Sequence, residues 1–79
     1  MTPEETKRRL EPMMQATLED IQLALHCLAE DIAMEAGAIK DGDLGDLVRR
    51  IQEIHDGASN ALRFARTYQD YKRILEMSQ

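Results

Sequence analysis

The sequence has a single cysteine, Cys27, no tryptophan, and three aromatic residues, Phe64, Tyr68 and Tyr71. A lone cysteine excludes an intrachain disulfide and fits a reducing compartment. No run of ~18 apolar residues is present, so no transmembrane helix is expected. The N-terminal segment interleaves Glu4, Glu5 and Glu11 with Lys7, Arg8 and Arg9 and lacks the apolar run of a signal peptide. A cytoplasmic setting follows. Glycine and proline are scarce, at four and two residues. Strand-like alternation is missing, which leaves an all-α fold. Gly42 and Gly45 are too few for a phosphate-cradling loop and lack a following lysine, so no cofactor is expected.

What is present is acidic and helical. At 79 residues the chain is one domain with a modest core, and oligomerisation is a common remedy at this size. A net charge of -5 argues against nonspecific binding to nucleic acid or to an anionic membrane. Met14, Leu18, Ile21, Leu25, Leu28 and Ile32 recur at spacings of four and three, one stripe of an amphipathic helix. No Lys or Arg occurs between Pro12 and Ile39, while Glu19, Asp20, Glu30, Asp31 and Glu35 give this stretch an acidic face.

In chain order, Thr2-Pro3-Glu4-Glu5 reads as a helix start, with Thr2 as cap and Pro3 at the first helical position. Pro12 disfavours helix at Glu11. The expectation is a short helix over 3–11, a break, and a long helix over 12–37. Gly37 and Gly42 bound a turn over 38–42. Asp43 then serves as N-cap of a second long helix over 43–77, with a possible kink at Gly57. Its stripe is Leu44, Leu47, Val48, Ile51, Ile54, His55, Ala58 and Leu62. A calcium loop built on Asp41, Asp43 and Asp46 fails, because Gly45 and Gln52 stand where ligands are needed.

The short connection implies an antiparallel hairpin. In that register Leu28 faces Ile54, Leu25 faces Ala58, Ile21 faces Ala61 and Leu18 faces Ala65. The acidic first helix then lies beside Arg63, Arg66, Lys72 and Arg73. Two stripes stay uncovered: Ala16, Leu23, Cys27 and Met34 on the first helix, and Phe64, Tyr68, Tyr71 and Leu75 on the second. Leu23, Cys27, Met34, Phe64, Tyr68, Tyr71 and Leu75 are therefore expected at a homodimer interface that completes a four-helix-type bundle. The alternative is a monomeric three-helix bundle.

The candidate chemistry is thin. His26 and His55, with Glu30 one turn from His26, offer a possible zinc set. However, His26 projects away from the stripe that His55 joins. Cys27 has acidic neighbours and no activating partner. Met13, Met14 and Met34 could make an adaptable surface or fill the core. No catalytic residue is proposed. The expected function is that of a small acidic, non-enzymatic regulator, adaptor or inhibitor that binds a protein partner. Two alternatives are a phage or mobile-element type of inhibitor, whose acidic helix competes with nucleic acid for a basic surface, and a metal-binding helical protein using His26 and His55. Direct nucleic-acid binding through Arg49, Arg63, Arg66 and Arg73 is opposed by the net charge.

Overall fold

The computed structural model describes residues 2–78 and consists of two α-helices packed against each other. α1 spans Pro3–Lys40 and α2 spans Leu47–Met77. Both are long for helices of globular proteins, and the hairpin measures 59 × 16 × 12 Å. A compact chain of this length would have a radius of gyration of about 12 Å, whereas this one reaches 17.9 Å. No helix among the described residues is long and apolar enough to cross a membrane.

α1 begins as the sequence indicates. The Thr2 hydroxyl accepts from the Glu5 amide at 3.2 Å, Pro3 opens the helix, and Glu4 and Glu5 sit at the positive end of the dipole. The expected break at Pro12 does not occur, and the helices expected over 3–11 and 12–37 are one. Pro12 is exposed within the continuous helix. There it faces solvent, and the Arg8 carbonyl that loses its amide partner can be solvated instead. Gly37 also lies inside the helix, and α1 ends three residues later with Asp41 as its C-cap.

The connection likewise differs from expectation. It occupies residues 41–46, and the left-handed backbone falls at Gly42 (φ 84°) and Asp46 (φ 54°). Asp46 rather than Asp43 is the N-cap of α2, and its side chain makes no capping hydrogen bond. Asp43 instead accepts from the Arg50 guanidinium at 3.3 Å. α2 runs through Gly57 without interruption.

The seam between the helices follows a strict alternation of three and four. On α2 and its C-cap the less exposed positions include Leu47, Arg50, Ile54, Gly57, Ala61, Phe64, Tyr68, Tyr71, Leu75 and Ser78, with Ala65 and Thr67 flanking them. On α1 they include Leu10, Met14, Thr17, Ile21, Ala24, Leu28, Glu35 and Ala38. These are the a and d positions of an antiparallel coiled coil. The register is displaced by three residues from the expected one: Leu28 meets Gly57, where a Cβ would lie 3.4 Å from its Cδ1. Thr17, the one buried polar residue among the described residues, donates to the Met13 carbonyl at 2.8 Å and so costs little. The seam is thin. Among the described apolar residues only Leu10 and Ala61 are buried, and no described side chain is completely enclosed.

Candidate interaction surface

Two features stand out from the seam outward: a polar clamp at the loop end and an apolar strip along one side.

The clamp centres on Arg50, which occupies a seam position on α2. Its Nε donates to both Glu35 carboxylate oxygens at 2.8 and 3.0 Å, and Nη2 also donates to Glu35 Oε1. The same guanidinium donates to the Asp43 carbonyl at 2.9 Å and to the Gly45 carbonyl. One side chain thus ties α1, the connection and α2 together, and the planar fork suits this many acceptors. Hydrogen bonding to Glu35 raises the Arg50 pKa above its ordinary value, opposed by desolvation and assisted by the charges of Glu35 and Asp43. Arg50 and Glu35 side chains are only 17% and 14% exposed, so salt screens this pair less than a surface one. Sequence reasoning assigned Arg50 no role. Its three-residue spacing from Leu47 and four-residue spacing to Ile54 were the signal that it belonged in the seam.

The apolar strip arises one position beyond the seam. Leu18, Leu25, Ile32 and Ile39 recur every seven residues on α1 and remain 37%, 51%, 49% and 43% exposed. On α2, Ile51, Ala58 and Ala65 keep the same interval, with Leu62 one turn beyond Ala58. In an antiparallel pair these equivalent positions lie on the same side of the seam. The opposite side is identified by its neighbours: Met34 shares a groove with Glu53, and Cys27 shares one with Asn60 and Arg63. The two sides differ in character. No charged Asp, Glu, Lys or Arg interrupts the strip between Leu18 and Ile39 or between Ile51 and Ala65, whereas the Cys27 side carries Asp20, Glu30, Glu53, Asp56 and Arg63.

This placement redistributes the residues expected at a dimer interface. Phe64, Tyr68, Tyr71 and Leu75 are half-buried in the seam. Phe64 lies beside Ala24 and Leu28, while Tyr68 and Leu75 lie beside Met14 and Leu18. Within one chain these residues pack between the two helices. The aromatic rings need volume, which the small Thr17, Ala24, Gly57 and Ala61 leave in the seam. Leu23, Cys27 and Met34 are exposed on the charged side. Conversely, Leu18, Leu25, Ile32, Ile51 and Leu62, expected to hold the hairpin together, form the uncovered strip.

The acidic face is also divided. Glu19, Asp20 and Glu30 are exposed, Asp31 borders the groove beside Ile54, and Glu35 is engaged by Arg50. The histidines lie on different helix faces. His26 pairs with Glu30 at 2.9 Å, and His55 lies 3.3 Å from Gln52 and 3.5 Å from Asp56. Among the described residues no three His, Cys, Asp or Glu side chains cluster so as to hold a metal ion. Comparison with protein-family models, with curated proteins and with solved structures found no match to this chain.

Proposed function

We propose that this chain is a non-enzymatic protein-interaction protein whose binding element is the apolar strip. The observation that supports the reading is the uncharged row Leu18, Leu25, Ile32 and Ile39 beside Ile51 and Leu62, each more than a third exposed. Contiguous apolar surface of this kind marks a contact with another macromolecule, and scattered exposed leucines do not. The heptad spacing suits a helical partner, which would set its own side chains between these rows. The clamp at Arg50 supports the same role by fixing the two helices in one register, so that both rows stay aligned.

The acidic-competitor reading draws less support, because Glu35 is engaged by Arg50 and Glu30 pairs with His26. The test compares wild-type protein with the Leu25→Glu/Ile32→Glu double variant as baits in lysate of the native host. A stoichiometric partner retained by wild type and lost by the variant is the expected result. Equal recovery by both would refute the strip as the binding element.

A further inference from the structure

We propose that the occupant of the strip is a second copy of this chain, forming a four-helix bundle with both loops at the same end. This rests on the reading of the strip as an interaction surface and names its partner.

Surface area gives the first argument. A compact monomer of 9.0 kDa exposes about 4,900 Å². This hairpin exposes 6169 Å². The excess, roughly 1,300 Å², is more than the ~800 Å² that each partner contributes to a stable interface of standard size. The hairpin therefore carries the surface that a dimer needs and buries little core without one.

The sequence pattern gives the second. Helices of two-stranded coiled coils are apolar at a and d alone. Here the position after d is apolar too, on both helices. That wider face is the mark of a helix with two helical neighbours, as in a four-helix bundle.

Side-chain size sets the orientation. Leu18 and Leu25 on α1 are large, and Ala65 and Ala58, near the same levels on α2, are small. A two-fold axis parallel to the hairpin places α1 of one copy over α2 of the other. Leu18 then meets Ala65 and Leu25 meets Ala58 of the other copy, while Ile32 meets Ile51. An axis perpendicular to the hairpin would instead lay α1 over α1, with its Leu and Ile residues facing one another and overfilling that seam. Charge agrees with the parallel axis. At the open end the strip terminates in Glu11 on α1 and Lys72 on α2, which that axis brings to opposite sides of the interface at nearly the same level. The contact is isologous and closes on itself, so it stops at two copies.

Sedimentation equilibrium at micromolar concentration should give twice the 9.0 kDa chain mass. Ile32→Glu should weaken association at least ~100-fold by placing an unpaired charge in the interface, while Met34→Glu on the opposite side should leave the dimer intact. Circular dichroism distinguishes dissociation from unfolding; should Ile32→Glu unfold, Ala58→Glu replaces it, and the wild-type mass still decides. For orientation, a spin label at Asp41→Cys in a Cys27→Ser background should report a separation of roughly 20–30 Å, a few interaxial distances. A separation close to the 59 Å length of the hairpin would overturn the shared loop end. A monomeric wild type whose partner capture is still abolished by the double variant overturns the second copy and spares the interaction reading. A monomeric wild type with unchanged capture overturns both.

Discussion

Gly57 offers a sharp test of the seam, because the structure assigns it a defined neighbour. It lies in the middle of α2, where glycine is about 0.5–1 kcal/mol less favourable than alanine. A Cβ at this position would come 3.4 Å from Leu28 Cδ1 and meet nothing closer. That is an ordinary contact with the tip of a flexible side chain, so one methyl group fits. Gly57→Ala should therefore stabilise the protein by about 0.5–1 kcal/mol. For a domain of this size that raises the thermal midpoint by roughly 2–8 °C. Gly57→Val places further carbons against Leu28 and should destabilise by about 1–3 kcal/mol through overpacking. Gly37, also helical, has nothing within 4 Å of its would-be Cβ. Gly37→Ala should stabilise similarly, and Gly37→Val should cost only the modest helix-propensity difference from alanine.

Thermal melting followed by circular dichroism, at one fixed protein concentration, measures all four variants. Two outcomes would refute the reasoning. If Gly57→Ala lowers the midpoint by several degrees, the helices approach more closely than described or the chain kinks there. If Gly57→Val is tolerated as well as Gly37→Val, nothing lies opposite Gly57 and the register is wrong.

Pro12→Ala restores an amide donor in the middle of α1 and should stabilise by up to ~3 kcal/mol; no gain in urea unfolding would indicate a chain that breaks at Pro12. Phe64→Ala and Tyr68→Ala remove half-buried rings from the seam and should each destabilise by about 2 kcal/mol, whereas Leu23→Ala, at a site 63% exposed, should be nearly neutral; the reverse order would return the aromatic stripe to an intermolecular role. Arg50→Lys loses the fork that reaches Glu35, Asp43 and Gly45 and should lower the thermal midpoint, with hydrogen exchange accelerated first in residues 41–46; unchanged exchange there would refute the clamp. The folded-state pKa of Arg50 is raised, so its stabilising contribution is fully present below the unfolded-state value and disappears only as pH rises through the higher folded one; near neutral pH it should add no pH dependence to a melting series.

The two long helices and their antiparallel packing were legible because periodic apolar residues and a loop of a few turn-forming residues leave few alternatives. The seam was harder to read, and the reason is physical. Each helix carries two apolar stripes side by side, and hydrophobicity ranks them wrongly. The row with the larger aliphatic residues, Leu18, Leu25 and Ile32, looks like the better core. The structure instead joins the helices through Thr17, Ala24, Gly57 and Ala61, because small residues let two backbones approach and leave room for Phe64, Tyr68 and Tyr71. Arg50 and Glu35 were missed for a related reason. Charged residues are assigned to the surface by default, yet both keep the seam interval and satisfy each other across it. Phase is therefore the more informative property in such a chain. On α2 the interval of three and four holds from Leu47 to Ser78 through glycine, arginine and serine, and a pattern that survives such changes of chemistry is imposed by the geometry of a neighbouring helix. The second stripe takes its meaning in the same way. Its seven-residue interval also holds on both helices, from Leu18 to Ile39 and from Ile51 to Ala65, and a helix surface turned only toward water has no reason to keep that phase.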